Sequence, residues 1–206
     1  MKKTAFDIRK MKRSDEKITM LTAYDSFFAA VFDKTEIDML LVGDSMGTVI
    51  YGSKDTLNVT LEMLINHSQA VSRGAKENAL VVADMPFLSF GVSMEETIKN
   101  AGRLIREGHA EAVKMEGASP RRLMEIQSII DIGIPVQGHI GLLPQSALKI
   151  GGYKVQGKKK SFWSEEDLIS AAKKIEAVGC FSIILEAIPY KVAKKITEEI
   201  SIPTIG

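Results

Sequence analysis

The sequence predicts a (β/α)8 barrel, and three observations carry that prediction. First, short apolar runs bounded by turn residues recur at Met39–Val42, Leu80–Ala83, Ala112–Met115 and Ile183–Leu185. Runs of that kind read as strands buried on both faces, as in parallel sheets. Second, stretches of helical spacing separate them with no hairpin signal, which implies right-handed βαβ units. Third, each run ends in polar groups, at Asp44-Ser45, Asp84, Glu116 and Glu186. In a parallel barrel those ends share one face, where barrel active sites are built. A doubly wound nucleotide binder would need a glycine fingerprint after its first strand, and Thr22-Ala23-Tyr24-Asp25 is not one.

Taken in order, residues 1–17 are charged and weakly periodic, and read as an N-terminal helix or arm covering one end of the fold. Ile18–Ala23 is a first strand, and Phe27–Phe32 a short helix before the Met39 strand. Gly47 and Gly52 bound a loop around Thr48–Tyr51. Leu61, Leu64, Ile65, Ser68 and Val71 mark a helix over Thr60–Ala75, and the Leu80 strand follows. Ser93 and Glu96 form a capping box for a helix that buries Met94, Ile98, Ala101 and Ile105. After the Ala112 strand, Ser119-Pro120 opens a helix through Leu123, Ile126 and Ile130. Pro135–Ile140 is the fifth strand, and Gly141–Trp163 is a long irregular segment. Ser164 with Asp167 caps a helix carrying Leu168, Ala172 and Ile175. The Ile183 strand, a helix with Val192, Ile196 and Ile200, and a seventh strand from Ile202 complete the reading.

Composition is that of an ordinary globular chain: 206 residues, 45% hydrophobic, with 27 basic against 26 acidic side chains. That balance gives no support to nucleic-acid or membrane-surface binding, both of which draw on a basic excess. No apolar run reaches the length of a membrane span. The N-terminus lacks the apolar core of a signal peptide, and a single cysteine, Cys180, fits a reducing cytoplasm. Cys180 follows Gly179 at the entry of a buried strand and reads as a packing residue.

The four carboxylates define the candidate site. Three hard oxygen ligands, Asp44, Asp84 and Glu116, suit Mg²⁺ or another divalent ion, and Glu186 is left over as a base. Any one of them alone would be read as a helix N-cap or a solvated loop residue. Recurrence of a carboxylate behind each apolar strand argues for a shared role. Lys114 and Glu116 are two apart on one strand and point to the same side, so Lys114 fits pairing with an anionic substrate, with Ser45 as an added donor. Leu185, Ala187, Ile188 and Pro189 supply apolar neighbours that would suit Glu186 as a neutral-pH base. His139 either donates into the site as a supporting residue or is a satisfied structural histidine, and the sequence leaves both readings open. His67 and His109 read as structural. Lys158-Lys159-Lys160 is either a solvated run or an attractor for an acidic ligand tail.

Six ordered motifs carry a resemblance. They are Val42-Gly43-Asp44-Ser45, Val82–Phe87, Val113–Gly117, Gly138–Leu142, Gly151–Gly157 and Leu185-Glu186. In this order they resemble the ketopantoate hydroxymethyltransferase family, over nearly the whole chain from about Thr4. The resemblance implies a TIM barrel of the phosphoenolpyruvate/pyruvate-binding type, a divalent metal and a homo-oligomer, typically a decamer. By matched position it implies Asp44, Asp84 and Glu116 as metal ligands. Asp44, Ser45, Asp84 and Lys114 then contact the 2-oxo acid, with Glu186 as the base. It further implies transfer of a hydroxymethyl group from 5,10-methylenetetrahydrofolate to 3-methyl-2-oxobutanoate, giving 2-dehydropantoate in pantothenate biosynthesis. Three positions depart from the family pattern: Ala187 stands where cysteine is usual, and Ala118 and His109 replace glycine-like positions. Within the same superfamily the alternative is a lyase or mutase on another 2-oxo acid, which would carry a reactive cysteine in a gating loop. A further alternative, prompted by length, is an inert truncated fragment. A barrel of this class runs to about 250 residues. The expectation is therefore one domain over 1–206 with about seven strands, its last βα unit missing, and a gap between the seventh and first strands.

Overall fold

The computed structural model describes residues 2–14 and 16–206. Met1 and Asp15, both within the expected N-terminal helix or arm, lie outside the described residues. Seven strands form one sheet in chain order: β1 Met20–Thr22, β2 Met39–Val42, β3 Leu80–Asp84, β4 Ala112–Glu116, β5 Val136–Gly141, β6 Ser182–Glu186 and β7 Thr204–Ile205. Every neighbouring pair is parallel. Among the described residues β1 and β7 are not hydrogen-bonded to each other, so the barrel is nearly closed with its gap at the expected place. The helices in chain order are α1 Ala5–Met11, α2 Ser26–Asp33, α3 Met46–Val49, α4 Leu61–Gly74, α5 Met94–Arg106, α6 Pro120–Asp131, α7 Ala147–Ile150, α8 Glu165–Ala177 and α9 Tyr190–Glu199.

The period-two alternation of a strand sorts each run into two layers. Leu40, Val42, Val81, Ala83, Val113, Met115, Ile183 and Leu185 join the core that the strands share with the surrounding helices. Their alternates Met39, Leu80, Val82 and Ala112 form a separate interior cluster with Ala5 and Ile8 of α1. The N-terminal helix thus plugs the lower end of the barrel. Thr4 and Asp7 set it with a reciprocal capping box. With the bottom filled by apolar side chains, the next inward positions up each strand are polar, and they form the mouth.

Four local expectations are corrected. The first strand is shorter than Ile18–Ala23, because the Thr19 N–H donates to Asp38 Oδ2 at 2.6 Å instead of to a ladder carbonyl. The Gly47–Gly52 loop is helical at its start, as α3, and the Gly141–Trp163 segment holds a 3₁₀ turn and α7. In α5, Ala101 is buried and Ile98 and Ile105 pack partly buried against the core as expected, but Met94 is exposed and the fully buried positions include Thr97 and Leu104. Thr97 tolerates burial because its hydroxyl donates to the Ser93 carbonyl at 2.8 Å. Ser93 does accept from the Glu96 N–H, the cap half of the expected box. The Ser164–Asp167 box is complete, and Leu168, Ala172 and Ile175 are buried as expected.

Two departures from the family pattern have a backbone reading. His109 and Ala187 hold positive φ, 57° and 49°, a region that glycine enters without strain. Ala187 turns the chain immediately after Glu186, whose carbonyl accepts from the Leu142 N–H at 2.8 Å. Across that contact, Gly141 has φ +103°, and a Cβ there would sit 2.1 Å from the Glu186 carbonyl oxygen. Gly141→Ala is expected to destabilise the fold by about 3 kcal/mol through overpacking and backbone strain, read as a lower urea midpoint. A midpoint equal to the parent would show that the β5–β6 crossing is looser than described.

Candidate active site

The inward positions at the C-terminal ends of the strands bring five predicted residues together. Asp84 ends β3, Lys114 and Glu116 lie on β4, His139 on β5, and Glu186 ends β6. Register aligns Asp84 with Lys114 and Glu116 with His139. Asp44 follows β2 directly. All but Glu186 are buried, and Asp84 and His139 are each only 1% exposed. The cap reading of these carboxylates falls away, since Thr60, Ser93 and Ser119 perform the N-cap bonds of α4, α5 and α6.

Lys114 Nζ donates to Asp84 Oδ2 at 2.5 Å. The ammonium expected to hold a substrate anion is thus committed first to a protein carboxylate. Burial pushes Asp84 up to about 7, with Lys114 opposing and Asp44 adding to the rise. Burial likewise pushes Glu116 up to about 8 against the pull of Lys114. Burial disfavours the Lys114 ammonium, and Asp84, Glu116 and Asp44 outweigh it, so its pKa stands above the ordinary value. The physical content is one cation shared among three buried carboxylates. With all four groups ionised the cluster is two positive charges short of neutrality.

Two oxygens express that deficit. Asp84 Oδ1 and Glu116 Oε1 are buried without a hydrogen-bond partner among the described residues. Buried acceptors left open are rare, and two on adjacent strand ends fit coordination of a cation. Among the described residues no three His, Cys, Asp or Glu side chains gather closely enough to cage an ion. Asp44, Asp84 and Glu116 are instead an open set of hard oxygen donors. Such a set fits Mg²⁺, which takes one or two carboxylates and fills its remaining positions with water and substrate oxygens.

His139 sits between the two acidic ends. Its Nδ1 is 3.6 Å from Glu116 Oε1, and its Nε2 is 3.1 Å from Glu186 Oε2 but out of line for a hydrogen bond. Burial holds its pKa below the ordinary value despite Glu186, which favours the neutral ring. The Glu186 side chain is 41% exposed, so the apolar setting expected from its sequence neighbours is not realised at the carboxylate. Ser45 is also redirected: its hydroxyl pairs with Tyr24 Oη at 2.8 Å. His67 is held by the Tyr24 carbonyl and Tyr51, consistent with a structural role.

Sequence reasoning missed Gln145. Its Nε2 donates to Asp44 Oδ2 and to the Met85 carbonyl, both at 2.9 Å, and its backbone N–H reaches Glu116 Oε2 at 3.3 Å. One buried residue, through its side-chain amide and its backbone N–H, thus ties two of the carboxylates to the loop after β5. The only local signal was Pro144, which starts the 3₁₀ turn carrying Gln145. Arg122 was missed too. Its guanidinium stacks on Phe90 at 3.8 Å and its Nε donates to the Glu116 carbonyl at 2.9 Å.

Comparison with known proteins places this geometry. The family model described as ketopantoate hydroxymethyltransferase matches residues 2–206. A 3-methyl-2-oxobutanoate hydroxymethyltransferase from Geobacter metallireducens is 54% identical over 205 residues, covering all of this chain and 75% of its own length. One of the same name from Enterococcus faecalis is 51% identical over 206 residues, with 74% of its length covered. Among solved structures, a 2,3-dimethylmalate lyase of the PEP mutase/isocitrate lyase superfamily superposes with TM-score 0.68 at 17% identity, over 99% of this chain and 72% of its own. A phosphonopyruvate hydrolase gives TM-score 0.68 at 11% identity, over 100% and 80%. These structures are alike in fold.

The raised carboxylates set a pH dependence. Asp84 and Glu116 bind protons more tightly folded than unfolded, where such groups titrate near pH 4. Their contribution to stability is therefore full below about pH 4 and is lost as pH rises through about 7 and 8. Chelator-treated protein is expected to unfold at lower temperature at about pH 9 than at about pH 6, with Mg²⁺ narrowing the difference. Equal midpoints at both pH values, with or without the ion, would contradict a buried, charge-deficient cluster.

Proposed function

The chain belongs to the ketopantoate hydroxymethyltransferase family, and from that premise we propose that it transfers a hydroxymethyl group from 5,10-methylenetetrahydrofolate to 3-methyl-2-oxobutanoate, yielding 2-dehydropantoate for pantothenate biosynthesis. The observation that carries this reading is the buried mouth in which Asp44, Asp84 and Glu116 share the single Lys114 ammonium, with two carboxylate oxygens unpartnered. That setting matches an oxo acid that must be gripped by its oxygens while a neighbouring C–H is ionised. We assign the divalent ion, Mg²⁺, to Asp44, Asp84 and Glu116, where it would supply Lewis acidity toward the keto and carboxylate oxygens. Asp44, Ser45, Asp84 and Lys114 surround the position of the oxo acid. Lys114 opposes the protonation of Asp84 that burial favours and adds positive potential where negative charge develops on the substrate. Glu186 takes the C3 proton. Its partial exposure at the mouth leaves it reachable by substrate, and His139 stands beside it with Nε2 3.1 Å from Glu186 Oε2. The C3–methylene bond then forms as one of the two C–N bonds to the methylene carbon breaks, and water replaces the second nitrogen, its oxygen becoming the hydroxyl of the product. The proton taken from C3 and the one left by water go to the two nitrogens, releasing tetrahydrofolate.

We further propose that residues 1–206 act as one barrel domain, that the protein works in the cytoplasm, and that it assembles as a homo-oligomer, a decamer by family habit. Exposed apolar side chains on α2, Phe27, Phe28 and Val31, offer a face for such packing. Among the described residues no helix is long and apolar enough to cross a membrane. The lyase or mutase reading lacks its reactive thiol, because Cys180 is buried at a strand entry and burial pushes it up to about 12.

The test is metal-dependent exchange of the C3 proton of 3-methyl-2-oxobutanoate into D₂O without folate. Exchange is expected with Mg²⁺ and not after chelation, and its absence with the ion bound would support an inert oxo-acid-binding chain. Glu186→Gln should slow exchange by about 10²–10⁴ with metal and oxo-acid affinity within a few-fold of the parent. Asp84→Asn should instead lose metal affinity first, as measured by titration calorimetry. Near-parental exchange in the first variant, or full metal binding in the second, would overturn the assigned role.

A further inference from the structure

Each carboxylate of the mouth has one oxygen engaged by the protein and one left over. Lys114 Nζ donates to Asp84 Oδ2, the Gln145 side chain donates to Asp44 Oδ2, and the Gln145 backbone N–H donates to Glu116 Oε2. Asp84 Oδ1 and Glu116 Oε1 are unpartnered among the described residues, and Asp44 Oδ1 is the second oxygen of the third carboxylate. Two of the three engagements come from one neutral residue, Gln145, which has no part in the transfer chemistry itself.

Three details mark Gln145 as placed for its donors rather than for stability. Its amide nitrogen faces two acceptors, Asp44 Oδ2 and the Met85 carbonyl, each at 2.9 Å, which fixes the orientation of the amide. That orientation leaves the amide oxygen, Oε1, buried with no partner among the described residues, a cost that a tether serving stability alone would not carry. Its backbone N–H is open to Glu116 because Gln145 lies in the first turn of the 3₁₀ helix Pro144–Ser146, ahead of any intrahelical acceptor. Through these bonds one side chain and one peptide unit pin the ends of β2, β3 and β4 to one another.

We propose that Gln145 is a positioning residue that limits Asp44 to one ligating oxygen and so biases the mouth toward a small octahedral ion such as Mg²⁺ over a larger one such as Ca²⁺. The inference rests on the divalent-ion assignment made above and deepens it. A carboxylate with both oxygens free can grip an ion with both, and Ca²⁺ accepts such ligation in flexible shells of about 6–8 oxygens. Mg²⁺ holds to near-ideal octahedral geometry, taking one or two carboxylates and keeping several waters. With Oδ2 engaged, Asp44 offers Oδ1 alone, and the pinned strand ends cannot spread to surround a larger ion. Single-oxygen ligation also leaves more of the shell to the keto and carboxylate oxygens of the oxo acid.

Gln145→Met keeps the length of the side chain and the backbone N–H while removing the amide donor. Mg²⁺ and Ca²⁺ affinities of parent and variant are read by titration calorimetry, with folding checked by circular dichroism. The ratio of the Ca²⁺ Kd to the Mg²⁺ Kd is expected to fall about tenfold in the variant, the effect of losing one hydrogen bond to a charged group. An unchanged ratio overturns the proposal, as does an equal loss of affinity for both ions, which a merely structural tether would give. Infrared difference spectra of the parent, ion-loaded minus ion-free, test it even where the variant does not fold. The bound carboxylates should show the wide splitting of antisymmetric and symmetric stretches that marks single-oxygen ligation, with either ion. The narrow splitting of two-oxygen ligation in the Ca²⁺-loaded parent overturns the proposal. If the parent exchanges the C3 proton with Mg²⁺ and the variant keeps the parental ratio, this inference alone fails. If the parent binds neither ion, the divalent-ion assignment itself fails and the role of Gln145 goes with it.

Discussion

The contact on which the site depends is the ion pair of Lys114 and Asp84, 2.5 Å apart and both almost wholly buried. An ammonium buried alone would shed its proton, and a carboxylate buried alone would take one up. Facing each other across adjacent strands, each favours the charged form of the other. The pair does not balance the cluster, because Asp44 and Glu116 approach the same lysine. The cluster is short of positive charge whenever all three carboxylates are ionised, and it relieves that deficit by taking up protons, as the raised Asp84 and Glu116 show. Breaking such a pair from one side strands a charge and is costly, so the pair also fixes the register in which β3 and β4 present their ends.

The barrel supplies that rigidity through a division of labour along each strand. Outward residues pack under the helices, lower inward residues pack on α1, and only the upper inward positions are free to be polar. Gln137 marks the boundary: its amide donates to the Ser182 hydroxyl at 2.9 Å, closing a polar layer between the apolar plug and the charged mouth. Below it the interior excludes water, and above it the same alternation delivers Asp84, Lys114, Glu116 and His139 to one space. A shift of one residue in any of these strands would turn its functional side chain into the helix layer.

The loop after β5 completes what the strands begin. Through Gln145 it binds Asp44 and Glu116 together, and through Leu142 it is anchored to the Glu186 carbonyl. Glycine at position 141 allows that crossing, since nothing larger fits between β5 and the backbone after β6. The contacts to Asp44, to Glu116 and to the backbone of Glu186 are thus all made by one segment of chain.

The sequence by itself determined the order of the strands, their parallel sense, the inward side of each and the identity of the carboxylates. All of these follow from local patterns, an apolar run and a polar residue at its end, and local patterns survive folding. It also determined the family, through motifs whose order is a property of the chain alone. Only the tertiary structure decided that Lys114 serves Asp84, that Ser45 turns to Tyr24, that Glu186 stays partly in water, and that Gln145 reaches the mouth carboxylates. Each of those facts joins residues distant in sequence; Gln145 and Asp44 are 101 positions apart. No spacing rule connects such residues, because the partner of a buried polar group is chosen by the closure of the barrel.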